Sequence, residues 1–414
     1  MLQEFISLFH SDIAITLWHS ALESAPVWLP AILILGWFDI YINFKQRKFI
    51  SSQEKVLLEI KIPREVSRSP QAMEMFINTL YNNSAGNLIK VYAEGSIRPW
   101  FSLEIVSLGG QVKFFIWTWD KFKSSIETQL YAQFPDIEVH EVPDYAKSIH
   151  HNPEKIKFGK FTQMGLTKAD AYPIMTYIDY GLDKDPKEEF KHDPLVALLE
   201  YMGALKEGEQ AWVQILIRAH TKEGIKLGRI TTKQDWKKDI EKEIEEIRKK
   251  ATPAPAGDEG FTKFAILSKG QQDIVASMER NMGKFAFDTM IRVAYFAETE
   301  KFNPNNIGGL LGSFRQFSSN TLNGFKPTWG TDYDYPWQDF RGQKRIRNEK
   351  RLLEAYKRRS FFDPPFKNFH GKPFILTTEE LATLFHFPSQ MVASTPTLTR
   401  LPSKKSEAPS NLPI

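Results

Sequence analysis

The stretch Val27 to Phe44, VWLPAILILGWFDIYINF, limits what this chain can fold into more than any other. It holds 18 residues with one ionisable group, Asp39, and shows no polar stripe between Val27 and Phe38. A helix without a polar face has to be buried in protein or surrounded by lipid. At about 1.5 Å per residue such a helix falls slightly short of a roughly 30 Å hydrocarbon core, and Ala25, Pro26 and snorkelling lysines make up the deficit. Trp28 at one edge, with Trp37 and Tyr41 at the other, occupies the depth that amphipathic rings prefer. Pro30 falls in the first turn or so, where proline is tolerated. The competing readings are a buried core helix and a cleaved signal peptide. The second fits poorly, because the acids Glu4, Asp12 and Glu23 precede the stretch and no A-x-A site follows it. The sequence therefore predicts a transmembrane anchor over 25–48.

The flanks set an orientation. No Lys or Arg precedes the span, whereas Lys45, Arg47, Lys48 and Lys55 follow it. Positive charge stays on the cytoplasmic side, which predicts a single-pass protein of the inner (cytoplasmic) membrane, N-terminus out and C-terminal body cytoplasmic. The chain has no cysteine, which excludes disulfides, thiolate zinc sites and a cysteine nucleophile. Its net charge of +4 is too small to announce a nucleic-acid binder. Residues 1–24 carry Leu2, Phe5, Ile6, Phe9, Ile13, Leu17 and Trp18 at helical spacing, an amphipathic segment suited to the outer leaflet or to a neighbour.

From Glu54 the pattern becomes regular. Val56 to Ile62 alternates as a strand; Ser69-Pro70 starts a helix with Met73, Phe76, Ile77 and Leu80 on one face. Phe101 to Ser107 and Val112 to Thr118 are strands joined by a tight Gly109-Gly110 turn. Asp120 opens a helix through Phe122, Ile126 and Leu130, and Ile137 to Val139 closes a fourth strand. Strand, helix, strand, strand, helix, strand over 54–145 is the order of a ferredoxin-like unit. On its third strand Val112, Phe114 and Ile116 face one side, while Phe115, Trp117 and Trp119 face the other. Both faces are apolar, so the second must be covered by another domain, another subunit or bases.

Residues 158–330 repeat the scheme, predicting an α+β protein with two ferredoxin-like sandwich domains. The expected strands are Tyr172 to Tyr180, Ala211 to His220 and Phe285 to Ala297, with helices starting at Asp193-Pro194 and Asn303-Pro304. Between them lies a charged helical insertion, 232–260, with Trp236, Ile240, Ile244 and Ile247 on one stripe. That stripe fits a solvated arm or a coiled-coil-like contact with a partner helix. Residues 331–392 form an extension with a basic helix over 341–359, in which Lys344, Arg345, Arg347, Lys350 and Arg351 are candidate contacts to phosphate or anionic lipid. A merely solvated face fits the same charge run. A strand and a short capped helix follow at Phe374 to Pro388, and 393–414 has the composition of a disordered tail.

Familiar catalytic signatures do not appear. There is no G-x-x-x-x-G-K-[ST], no H-E-x-x-H and no G-x-S-x-G, and Asp332 and Asp334 lack the remainder of a calcium loop. Gly308-Gly309-Leu-Leu-Gly312-Ser313 has no lysine and sits in an apolar helical pattern, where close helix packing is the better reading. The expectation is no enzyme, no cofactor and no metal.

Longer runs carry a resemblance. LLEIKIPREVSRSPQAMEMF (57–76), WFSLEIVSLGGQVKFFIWT (100–118), YAQFPDIEVHEVPDY (131–145), YGLDKDPKEEFKHDPLVALLEYMGALKEGEQAWVQILIRAH (180–220), FNPNNIGGLLGSFRQFSSNTLNGFKP (302–327) and LTTEELATLFHFPSQMV (376–392) look like the membrane-anchored N-terminal region of type IV secretion or conjugation-like ATPases of the TraG/HerA–FtsK type. In that family a P-loop motor usually follows the segment that here reads EAPSNLPI. The resemblance thus implies a platform without its motor: a membrane partner, a P-loop ATPase supplied in trans, candidate homo-oligomerisation, and no family catalytic residue on this chain. The alternative expectation is a nucleic-acid-binding membrane protein that uses 341–359.

Overall fold

A computed structural model describes residues 18–20, 22–63, 68–183, 192–221, 235–251, 267–333 and 335–388. The expected linker after residue 251, most of the N-terminal segment and the C-terminal tail lie outside them. The long helix α1 (Ala25–Ser52) leads into β1 (Lys55–Lys61), α2 (Pro70–Thr79), β2 (Phe101–Leu108), β3 (Gln111–Trp119), α3 (Lys123–Gln133) and β4 (Glu138–Glu141). A short helix α4 (Tyr145–Ser148) precedes β5 (Ile156–Leu166), α5 (Pro194–Gly203), β6 (Glu209–Ala219), α6 (Trp236–Ala251) and α7 (Lys269–Met282). The chain continues through β7 (Ala286–Glu298), α8 (Asn305–Ser313), β8 (Phe325–Gly330), α9 (Gln343–Lys357), β9 (Phe374–Thr377) and α10 (Thr378–Leu384).

All nine described strands join one antiparallel sheet, in the order β4-β1-β3-β2-β6-β7-β5-β8, with β9 added to β7. Its two halves mirror each other. The first places its strands in the order four, one, three, two; the second, entered at β6, runs two, three, one, four. The halves meet where β2 pairs with β6, from Phe101 opposite Ile217 to Leu108 opposite Gln210. Each half would otherwise end in a bare row of peptide groups there, and pairing the two rows removes both edges.

The turn between β2 and β3 forms as its sequence requires. Gly109 and Gly110 both take positive φ, +61° and +86°, the two left-handed positions of a tight hairpin turn. A Cβ on Gly110 would stand 2.4 Å from the Leu205 carbonyl oxygen. Gly110→Ala is therefore expected to destabilise by about 1–3 kcal/mol, read as a lower denaturant midpoint; an unchanged midpoint would contradict this geometry.

Alternation sorts the core into two layers. Phe114 and Ile116 of β3, Val213 and Ile215 of β6, and Ile291 and Val293 of β7 face α2, α3, α5, α8 and α10. Helix α10 sits across the halves, its following Phe385 and Phe387 both edge-on to Phe114. Helix α8 reaches α5 through Gly309, where a Cβ would lie 2.1 Å from the Tyr201 ring, so close packing accounts for that glycine, whereas Gly308 and Gly312 face open space. On the other face Phe115, Trp117, Trp212, Met290 and Phe296 lie beneath Leu352, Leu353 and Tyr356 of α9 and Phe361 and Phe369 beyond it.

One strand differs from expectation. The first strand of the second half is Ile156–Leu166, and residues 172–180 form turns. Their backbone donors bond to side chains of α10 and to Asp179: Ile174 N–H to Glu380 (3.0 Å), Tyr177 N–H to Thr383 (2.9 Å) and Thr176 N–H to Asp179 (2.9 Å). Those bonds replace a ladder. The true strand hid because the register of β5 shifts between Phe158 and Lys160, which breaks its period-two pattern.

Glu380 makes that docking sensitive to pH. It accepts from the N–H groups of Thr377 and Ile174 and from Asn281, and burial raises its pKa from 4.5 to about 7. The folded state holds this proton more tightly than the unfolded state. Its contribution is therefore full below pH 4.5 and is lost as pH rises through about 7. Glu380→Gln should flatten that decline in denaturant midpoints measured across the interval; an unaltered slope would rule Glu380 out as its source.

Candidate functional site

Helix α1 has two different halves. Among its described residues none is buried, and Ile32, Leu33, Ile34 and Leu35 are all more than half exposed. It is the one described helix long and apolar enough to cross a membrane. Trp28 and Trp37 are exposed, Tyr41 stacks on Trp37 at 5.3 Å, and the Lys45 ammonium lies 5.5 Å from the Tyr41 ring. Asp39 is engaged by Asn43, whose amide donates to its carbonyl at 2.7 Å. Arg47 and Lys48 follow on the same helix.

The last turns of α1 are part of the body. Phe49 packs edge-on to Trp119 at 6.0 Å, and Trp119 in turn meets Trp100 at 5.3 Å. Higher up, Tyr92 lies 5.8 Å from Phe38, within a π-helical turn at Lys90–Glu94. That turn ends at Gly95, whose φ is +77° and whose Cβ, if present, would be 2.4 Å from the Lys45 carbonyl carbon. Only glycine permits this approach. Three contacts along one helix face therefore hold α1 against the body.

The aromatic row Phe115, Trp117 and Trp119 is covered by the chain itself: Tyr145 stacks on Phe115 at 5.1 Å, and Trp100 lies 5.8 Å from Trp117. The stripe Trp236, Ile240, Ile244 and Ile247 is likewise met within the chain. It packs on Val275 and Met278 of α7, a helix the sequence reading overlooked, whose Ser268–Gln271 capping box was legible. These two sets therefore find intramolecular partners, because each faces an element of the same chain that the pattern reading had not placed.

The basic helix α9 carries half-buried Arg345 and exposed Lys344, both bonded within the chain, together with other exposed cations. Arg345 bonds Glu349 (2.8 Å) and the Phe158 carbonyl (2.9 Å), and Lys344 donates to the Gln338 carbonyl (2.8 Å). Arg347, Lys350 and Arg351 are exposed, with the Arg351 guanidinium 5.0 Å from the Phe369 ring. The loop before α9 exposes Tyr335 and Trp337, stacked at 4.6 Å, and Phe340.

Just past α9, Arg359 is fully buried. Its guanidinium donates to both oxygens of Glu104 at 3.0 Å each and to Asp144, while the Tyr145 hydroxyl donates to Glu104 at 2.7 Å. Burial opposes the charge on Arg359, and the Glu104 carboxylate overrides it, holding its pKa well above normal. Glu104 stands opposite Gln214, Gln214 opposite Arg292, and Arg292 opposite Gln163, so one buried polar row crosses four strands. The row receives the C-terminal end of α9. Arg292 donates to the Ala355 and Ser360 carbonyls (3.0 and 2.8 Å), and Gln163 to the Phe369 carbonyl (2.9 Å). Cations bonding the last carbonyls of a helix satisfy acceptors that the helix cannot. Burial brings the Arg292 pKa down to about 9, which still leaves it charged at neutral pH.

Among the described residues no group of His, Asp and Glu could hold a metal ion. Together the helix and sheet define a mixed α+β protein whose N-terminal apolar helix is compatible with a single-pass membrane protein. The chain belongs to the family described as Domain of unknown function (DUF8128), whose profile matches residues 42–399. A comparison with curated proteins finds no match.

Proposed function

We propose that this chain is a membrane-tethered, non-enzymatic platform: a single span with its N-terminus out, carrying two ferredoxin-like units edge to edge in the cytoplasm. The platform holds a P-loop ATPase of the TraG/HerA–FtsK type, supplied in trans, for a DNA- or protein-translocating machine of the type IV secretion kind. One observation carries the reading: α1 runs unbroken from its lipid-like apolar half into contacts with Trp119, Tyr92 and Gly95. A loosely tethered enzyme needs no such joint; a part that fixes another component at a set height and angle does. The motor itself is implied by the long runs that resemble that ATPase family.

Both sheet faces are occupied by this chain's own elements, so the surface left for a motor is the outer one. The exposed ring pair Tyr335–Trp337 and Phe340 suit it best. The second reading, nucleic-acid binding, draws on the exposed Arg347, Lys350 and Arg351. Phosphate contact would make affinity fall steeply with salt.

Gentle detergent extraction, affinity capture and mass spectrometry separate the two. Recovery of a P-loop ATPase that has no anchor of its own supports the platform. Recovery of the chain alone, with nucleic acid that is lost on replacing Arg347 and Lys350 by alanine, would replace it with the second reading. Arg345 is left intact in that variant because it braces α9.

A further inference from the structure

Between α2 and β2 the chain makes an excursion, residues 82–96, that ends in the π-helical turn at α1. At its tip Leu88 and Ile89 are 74% and 71% exposed. Two adjacent aliphatic side chains held out in water are costly unless something apolar meets them.

Their position says what meets them. Gly95 sits against Lys45 and Tyr92 against Phe38, so following the segment backward climbs α1 toward its apolar half. Seven helical residues separate those two levels, about 10 Å along the axis. Leu88 and Ile89 lie one further turn back along the same path. Cations lie close by: Lys45, Arg47 and Lys48 follow on α1, and Lys90 follows Ile89, near enough to Lys121 that its charge adds to burial in lowering the Lys121 pKa. Apolar side chains beside a collar of lysines are the layout of an interfacial lipid contact.

We propose that Leu88 and Ile89 insert beside α1 into the headgroup–acyl boundary of the leaflet nearest Lys45, giving the body a second lipid contact that fixes its tilt. This rests on α1 crossing the bilayer. The occupant is lipid because Tyr92, one turn along the same segment, packs on Phe38 within the apolar stretch of α1. An interfacial insertion of this kind reaches about 5–10 Å into the boundary.

The chain has no cysteine, so single labels are clean. Leu88→Cys, Ile89→Cys, Ile34→Cys in the span and Glu245→Cys on the exposed face of α6 would each carry an environment-sensitive fluorophore. The full chain would be reconstituted in phosphatidylcholine–phosphatidylglycerol vesicles. Quenching would be read with lipids bearing a nitroxide at the headgroup–acyl boundary and with aqueous iodide. The expected result is blue-shifted emission at 88 and 89, loss of iodide quenching relative to 245, and quenching by the lipid nitroxide. Labels at 88 and 89 quenched by iodide as strongly as at 245 would overturn the proposal. So would shielding from iodide without lipid quenching, which would mean that protein, such as a second copy, covers the tip. Quenching at 34 by a lipid bearing its nitroxide in mid-chain, without lipid quenching at 88 and 89, removes this inference alone; its absence at 34 removes the spanning reading as well.

Discussion

Arg359→Met is expected to cost about 3–5 kcal/mol, because it leaves the Glu104 carboxylate buried without its counter-charge. Glu104 is fully buried and would retain only Ser102, Gln214 and Tyr145 as neutral donors. Asp144 would lose its charged partner at the same time and keep the Ala146 N–H. Arg359→Lys should fail almost as badly, since one ammonium cannot reproduce a fork that bonds two carboxylates. The measurement is the urea midpoint of the detergent-purified chain, followed by tryptophan fluorescence. Adding Glu104→Gln to Arg359→Met should restore part of the loss, which identifies the pair rather than the lost packing. A loss under about 1 kcal/mol, the scale of a solvated surface pair, would mean that the clamp does not hold α9 on the sheet.

The joint between α1 and the body gives the second large effect. Trp119 is 1% exposed and meets Phe49 of α1, Trp100 and Phe122. Trp119→Ala removes a fully buried indole at a site braced on three sides, and about 3–5 kcal/mol should be lost. Its Nε1 is buried without a hydrogen-bond partner, so the native residue already carries a desolvation cost. Trp119→Phe sheds that cost along with part of the ring and should be far milder than alanine. The comparison reads out as two midpoints on one chain. Equal losses for the two variants would show that the indole N–H is satisfied in solution and that the packing account is incomplete.

Much of this architecture could be read from local pattern. The long apolar helix announced itself by the missing polar face between Val27 and Phe38. The β2–β3 turn followed from two adjacent glycines, and the sorting of Phe114 from Phe115 followed from strand alternation. Asp193 before Pro194 marks the start of α5, where its carboxylate accepts from the Leu195 N–H at 2.8 Å. Each of these is a rule about neighbours within a few residues, so the sequence carries it directly.

The tertiary structure decided what lies far apart in the chain. Arg359 and Glu104 are separated by 255 positions, and nothing around either residue names the other. The same holds for the strand pairing of β2 with β6, which joins two halves into one sheet, and for α9, which seals the aromatic face. A charge run reads alike whether its members are solvated, as Arg347 is, or enclosed, as Arg359 is. Burial is a property of the assembled fold, and a buried charge is tolerable only where a distant partner arrives. The sequence by itself determined the long apolar helix, the strand–helix order of the first half and the two apolar faces of β3. The fold alone decided which cations are structural, which faces are closed, and that the long apolar helix packs on Trp119 of the sheet.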